Sequence, residues 1–596
     1  MKSCDFEKDA NAEVLFDKGD ISMDPAYNLS FERHVRIKIF NDKGKNFANI
    51  RIPYVDINLL ENINNVQAET INLSNGNIEI TKVDRSLIYR KRIDKISSEV
   101  VFAFPNVQPG SVIEYKYILS SKNLGNFPDW YFQTDIPTRY SQFSADMPNL
   151  LHYKTLQMTK LPLVVNTEDK KAMINIPSLR EEPYMSSLKD NAERMFYQLS
   201  AVNGLFLNFS ATWPDLGKNE VKYEDFGQQF RRKLTGEDVI LTRVKALKTN
   251  EEKIAAIFDE VKNSMRWNDV NVRYTNDGTS LAWDKKTGNS TEINLIVYHL
   301  LTKAGIKAYP MLVSTRDHGK VNPAYTSEYQ FNKTVTYIPV DSAKYYILDA
   351  TDKFANCNTI PEELLDSHGF YVDRDSESSD LVFIRNQQPV RQVVYVAAEI
   401  KPDGKMSGTA QLSSFSYNRL NAIKKYKTDG EKKYIDYLRD GDNNLQISSI
   451  SLENMDKDDQ PLVQKINFNF DLAGSDGNYI YINPNLFTSL HKNPFLNETR
   501  TTDISFGFLD EYQITGNYKI PDGYKVDALP KSISLTMPDK TITFKRLTGE
   551  QDGSIIIRYI ISRKASLFFH ENYPNFHEFY KKMHEMLDEQ IVLKKS

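Results

Sequence analysis

From about Asn28 to Lys160 apolar and polar positions alternate with a period of two. In His34-Val-Arg-Ile-Lys-Ile-Phe40 the apolar Val35, Ile37 and Ile39 are separated by Arg36 and Lys38. The run turns at Asn41-Asp-Lys-Gly44 and resumes from Phe47 to Tyr54. Successive strand side chains point to opposite faces, so this pattern predicts half-buried strands. Thr70 to Leu73 and Ile78 to Val83 flank Ser74-Asn-Gly-Asn77, and Asn-Gly between two such runs signals a tight hairpin. Gly110 to Leu119 adds a long strand. Short strands with no helical pattern between them predict an antiparallel β-sandwich.

Near residue 225 the period changes. Ile254, Ile257, Phe258, Val261 and Met265 form a helical stripe over Glu251 to Trp267. A stronger stripe, with Ile293, Ile296, Val297, Leu300 and Leu301, runs from Asn289 to Ala304. Gly305 follows as a left-handed cap. Strand-like runs then cover Lys307 to Thr315, Lys333 to Val340 and Tyr345 to Ala350, an α+β layout. From about Gln388 to Ser566 strands return, including Val393 to Ile400, Gln464 to Leu472, Tyr512 to Ile520 and Ser554 to Ile561. A helical insert is predicted between Tyr417 and Arg439, and an amphipathic helix from Asn575 to Leu593. The expected architecture is multi-domain α+β. It comprises an extension over residues 1–27, a β-rich domain over 28–222, an α+β core over 223–387 and a second β-rich domain with a terminal helix over 388–596.

A chain of 596 residues exceeds what one hydrophobic core supports. Charges of both signs are mixed throughout to a formal net charge of −4, with no basic block, which argues against nucleic acid as a partner. The two cysteines, Cys4 and Cys357, exclude a disulfide framework and a Cys-rich zinc site, and two unpaired thiols are expected, Cys4 in a mobile terminus. No apolar stretch is long enough to span a membrane, and the first residues lack the apolar run of a cleavable leader.

The chemistry concentrates at Gly288-Asn-Ser-Thr-Glu-Ile-Asn294. Asn289 is suited to cap the helix and Glu292 to return a capping-box bond. Ser290 then falls in the first turn, among free N–H groups and the helix dipole. A thiolate at such a place is stabilised, which is how papain-like enzymes hold their nucleophile. The order of this helix, the run Leu301-Thr-Lys-Ala-Gly-Ile-Lys-Ala308, the strand ending Val313-Ser-Thr-Arg316, and Ile347-Leu-Asp-Ala-Thr351 resembles a transglutaminase-like core. The flanks, with Phe102-Ala-Phe-Pro-Asn-Val-Gln-Pro-Gly-Ser-Val-Ile-Glu-Tyr-Lys-Tyr117 before it and Asn493-Pro-Phe and Arg500 after it, resemble those of a bacterial family whose core lies between two β-rich domains.

In active members of that family a Cys opens the helix, a His begins a strand and an Asp ends the next. The resemblance places these roles at Ser290, Asn332 and Asp349, so the Cys and His are replaced. Serine without an adjacent base is a weak nucleophile, and asparagine cannot act as that base. His299, nine residues along the same helix, lies too far from Ser290 and is expected to be packed. His318, in Arg316-Asp-His-Gly319, is the one candidate to fold over the site as a replacement base.

Each of these residues also has a structural reading. Ser290 would only start a helix, and Asn332 and Asp349 would brace the old cleft. Trp267 and Trp283 would be core, with Trp283 the one placed to line a groove. Arg316 would form a surface salt bridge or grip a carboxylate or phosphate. Glu181-Glu182 and Glu362-Glu363 read as solvated acids.

Two functions of different class follow. One is a non-catalytic module binding a peptide, glycan or protein partner through a degenerate cleft. The other is an acyl-transfer or hydrolytic enzyme using Ser290, and a bare scaffold remains compatible with the residues. No metal or cofactor is expected. The resemblance implies a periplasmic or envelope setting. Restoring Ser290→Cys together with Asn332→His is expected not to recover activity. Ready acylation of that double variant by a thiol-reactive substrate mimic would show a cleft still shaped for catalysis.

Overall fold

The computed structural model describes residues 1–24, 28–124, 127–146, 148, 151–202, 207–208, 212–341, 344–375, 378–386, 388–476 and 478–596. In the leading domain β1 (Ala12–Met23) and β2 (Leu29–Ile39) form the middle of an eight-stranded sheet. Residues 12–23, set apart as an extension on sequence, are thus central to this sheet. Cys4 is fully buried beside it rather than mobile, and both thiols are unpaired. The sheet is not purely antiparallel: β1 pairs in parallel with Thr138–Ala145. Asn75 and Gly76, both at positive φ, make the expected tight hairpin between Glu61–Ser74 and Asn77–Lys82.

After β2 the chain does not fold back on the same sheet. A 3₁₀ turn over Asp42–Ala48 carries it to Asn49–Val55, which pairs with Ser97–Ala103 in a second, three-stranded layer. Ile52, Tyr54, Val100 and Phe102 of that layer pack on Val35, Ile37 and Ile113 of the large sheet. The other half of the large sheet is covered by Trp130, Met195 and Tyr197, packed on Phe31 and Phe143.

In the core α1 (Asn250–Ser264) and α2 (Ser290–Lys303) cover one side of a five-stranded antiparallel sheet. Its strand order is β5 (Tyr345–Leu348), β4 (Lys333–Pro339), β3 (Tyr309–Val313), then Ser367–Val372 and Ser379–Ile384. Gly305 closes α2 at φ 83°. Both helices begin with a full capping box, Thr249 with Glu252 and Asn289 with Glu292; such a cap contributes about 1 kcal/mol.

The trailing domain is a second eight-stranded sheet in which Val390–Ile400 and Asp510–Lys519 are parallel. The helical insert is two helices, Ser416–Asp429 and Glu431–Leu438, broken at Gly430 with φ 81°. The terminal helix is shorter than its sequence pattern suggested. It ends at Leu587, and Ile591–Lys595 forms β6, paired with Tyr479–Ile482 and Tyr524–Ala528. Ile591 and Leu593 are buried alternately with Val592 between them, so two waiting strands override the helical periodicity.

Gly19 in β1 lies against Trp130, and a Cβ there would come within 2.5 Å of the indole. Gly19→Ala is therefore expected to destabilise the protein by about 1–3 kcal/mol through overpacking. A urea midpoint equal to that of the parent would contradict this contact.

Candidate functional site

At the start of α2 the N–H groups of Ser290 and Glu292 and the nearby polar side chains are already occupied. The loop 268–278 folds over this end of the helix. Ser290 N donates to Val270 O at 3.1 Å. Ser290 Oγ donates to Val272 O at 3.3 Å and accepts from Val272 N at 3.3 Å. Thr291 Oγ1 donates to the same carbonyl at 2.5 Å. Glu292 is buried and its Oε1 accepts from the backbone N–H groups of Asn276, Asp277 and Gly278. Burial raises the Glu292 pKa against those bonds. Glu292 therefore staples the loop to the helix and is not a ligand-facing acid. Ser290 is fully buried, and its hydroxyl meets only main-chain groups of Val272.

The side chain facing Asp349 is Lys333, not Asn332. Lys333 Nζ lies 2.5 Å from Asp349 Oδ2 and 2.8 Å from Glu363 Oε1, with the lysine only 3% exposed. Burial alone would lower the lysine pKa, but the two carboxylates reverse this and raise it. Asp349 Oδ1 accepts from Asn294 Nδ2 at 2.9 Å and from Thr351 Oγ1 at 2.8 Å. Burial would raise the Asp349 pKa, yet Lys333, Asn294 and Thr351 hold it below the usual carboxylate range. Asn332 turns the other way, donating to Thr315 Oγ1 at 2.8 Å and accepting from Thr315 N at 3.0 Å. It ties the ends of β3 and β4 together.

Lys333 and Asp349 open onto a cleft of about 1570 Å³ at the junction of the three domains. The leading domain contributes residues 181–189, the core Trp267, Arg316 and 349–363, and the trailing domain Tyr417, Leu420 and 505–508. Trp267 is the tryptophan that lines it, with Lys333 Nζ 5.8 Å from its ring. Trp283 is core instead, its Nε1 donating to Thr235 O at 2.9 Å. Among the described residues Arg316 has no salt-bridge partner, and it lines the cleft. Its Nη2 donates to Met185 O at 2.7 Å, Ser505 O at 2.6 Å and Tyr184 O at 3.4 Å.

His318 bonds Ser314 Oγ at 2.9 Å and lines a different cavity, so it does not serve Ser290. Burial pushes its pKa down to about 4. His299 is packed as expected, 2.8 Å from Glu237.

Of the acidic pairs Glu181, Glu362 and Glu363 are exposed, as expected, but three of the four also have a structural place. Glu182 accepts from Thr501 N and Thr502 N, Glu363 holds Lys333, and Glu362 lines the cleft with a pKa raised by burial. Lys333 carried a sequence signal, a lysine opening the otherwise uncharged run Thr334-Val-Thr-Tyr-Ile338. Trp267 and Glu362 carried none, because the cleft is assembled from distant segments. Among the described residues one group, Asp503, His570 and Glu571, could offer three metal ligands, and it lies outside the cleft.

Family models support the flanking domains directly. Residues 25–173 match a domain of unknown function, DUF3857, and residues 478–593 match another, DUF3858. This is the leading-and-trailing layout expected from the sequence. No curated protein matches the chain. Among solved structures it is similar to a protein of Parabacteroides distasonis described as a "putative protease". The identity is 12%, the TM-score 0.60, and the likeness covers 98% of this chain and 99% of that one. At that identity the likeness concerns the fold alone.

Lys333→Met would leave Asp349 buried without its cation, which typically costs about 3–5 kcal/mol. The folded Asp349 pKa lies below the unfolded value of about 3.9. Its contribution is therefore present above that pH and is lost as pH falls through the folded value. Urea unfolding of the parent and the variant should differ most near neutrality and converge in acid. A gap independent of pH would count against the ion pair.

Proposed function

We propose that the chain is a non-catalytic relative of transglutaminase-like, papain-like proteins whose three-domain cleft binds a polypeptide segment. The observation carrying this reading is the sealed start of α2. Acyl transfer needs a nucleophile within reach of a base and of the substrate carbonyl. Ser290 is buried under Val270 and Val272, and its own N–H is taken by a carbonyl, so its hydroxyl is not free to attack and its N–H is not free to hold an oxyanion. Lys333, charged and paired with Asp349 and Glu363, offers no free base. Lys333, Asn294 and Asp349 hold the cleft wall rather than relay a proton.

The cleft suits an extended chain. Trp267, Tyr184, Phe506 and Tyr417 give it apolar faces, and Glu362 and Lys353 stand among them with charge. A cell-envelope setting belongs to this reading as an expectation. The name of the similar solved structure favours hydrolysis for that protein, and the arrangement at Ser290 argues against carrying it here.

The test combines turnover with accessibility. Fluorescent casein hydrolysis and amine incorporation should stay at buffer level for the parent and for Ser290→Ala alike. The thiol of Ser290→Cys should react with a maleimide only after unfolding. Turnover that disappears in Ser290→Ala would overturn the non-catalytic reading. For binding, peptides selected from a displayed random library on the parent should be lost on Trp267→Ala, and equal retention would remove the cleft as their site.

A further inference from the structure

A second cavity, of about 560 Å³, lies beside the cleft and shares Ser186, Lys189 and Ser505 with it. It is walled by the leading domain at 127–131 and 189–196, by the core at 318–330 and by Asp503, Ser505 and Leu567 of the trailing domain. Its charged groups are unusually placed. Arg194 is 9% exposed, and its Nε has no hydrogen-bond partner. Its Nη2 meets the Met158 thioether at 3.7 Å and lies 3.9 Å from Asp190 Oδ1, beyond hydrogen-bond reach. The guanidinium is held in place by rings, 4.5 Å from Phe196 and 5.9 Å from Tyr131.

Asp190 has one oxygen occupied by Lys320 N at 2.8 Å, and the other is buried without a partner. Asp129 also lines the cavity, with its side chain exposed. A positioned guanidinium with unused donors is costly unless something supplies acceptors, and a buried carboxylate oxygen is costly unless something supplies a donor.

An anion alone would answer Arg194 and Lys189 and leave the carboxylates unserved. A cation alone would do the reverse. We propose that this cavity binds a small zwitterion, an α-amino acid with an apolar or aromatic side chain. Its carboxylate would lie on Arg194 and Lys189, its ammonium on the Asp129 and Asp190 side, and its side chain against Phe127, Tyr131 and Tyr325. Arg194, Lys189, Asp129 and Asp190 are needed together, with Lys320 and Asp503 completing the charged lining, so the site discriminates against ligands blocked at either end. His318 adds no charge, since burial keeps its imidazole neutral above about pH 4. The proposal is independent of the reading given to the cleft.

Asp129 also sets a pH dependence. Burial pushes its pKa up to about 7, against Arg194 and Lys189, and Asp190, His318, Lys320, Asp503, Tyr131, Tyr325 and Tyr329 are the other titratable groups lining the cavity. The carboxylate that would hold the ammonium is therefore present above about pH 7 and takes a proton below it.

The experiment is thermal-shift screening of the full chain at pH 8 with each common L-amino acid at millimolar concentration, followed by calorimetry. At least one apolar or aromatic amino acid should raise the melting temperature in a dose-dependent way. Its N-acetyl and carboxamide derivatives should each bind at least about tenfold more weakly, as expected for losing a charged hydrogen bond. Affinity should fall as pH is lowered from 8 to 6, and Asp129→Asn, which keeps the shape of the side chain, should bind weakly at both. Arg194→Leu should abolish binding, with circular dichroism checking its fold. No shift with any amino acid, undiminished binding of the blocked derivatives, or parent-like binding by Asp129→Asn would each overturn the proposal.

Discussion

The guanidinium of Arg316 joins the three domains at one point. A single nitrogen of this core residue donates to main-chain carbonyls at Tyr184, Met185 and Ser505, from the leading and trailing domains. Carbonyls, unlike carboxylates, do not titrate, so the clasp keeps its form at any pH at which the protein is folded. Around it Tyr184 packs on Phe506 at 4.5 Å and Phe495 at 5.7 Å, and Glu182 receives the N–H groups of Thr501 and Thr502. Tyr184 has a positive φ of 60°, a strained conformation for a bulky residue that persists only where the surroundings over-determine it. The cleft and the neighbouring cavity both owe walls to this junction.

Within the core a second constraint decides the chemistry. A helix start is a ready source of N–H donors and positive potential. Here the loop 268–278 claims it, through Ser290, Thr291 and Glu292 together. The same features that would activate a nucleophile now anchor a loop. The buried Lys333 beside Asp349 agrees with that state, because a permanently charged ammonium between two carboxylates stabilises a wall and has no proton to exchange near neutrality.

The motifs noted in the flanks have comparable structural reasons. Asn493 caps its own turn by accepting from Phe495 N at 2.9 Å, which drives Phe495 into the rings of Phe576 and Tyr580. Arg500 donates to Thr502 O at 2.6 Å and shapes the loop that receives Glu182. These residues serve the contact between domains, as Arg316 does from the core.

Local periodicity and capping chemistry determined much from the sequence alone. The hairpin at Asn75-Gly76, both core helices with their boxes, Gly305, and the strands at 333–339 and 345–348 follow from interactions within a few residues, which one sequence contains. The bond between Asn289 and Glu292 is of this kind. What tertiary structure decided depended on partners distant in the chain. Residues 12–23 became a central strand because Leu29–Ile39 and Thr138–Ala145 flank them, and Ile591–Lys595 became a strand because two edges awaited it. Asn332 and Lys333 are neighbours in sequence, yet successive side chains of extended backbone point opposite ways, and the packing of the sheet gave Asp349 to the lysine. Arg316 found carbonyls more than a hundred residues away in either direction, and no pattern of spacing encodes such a contact.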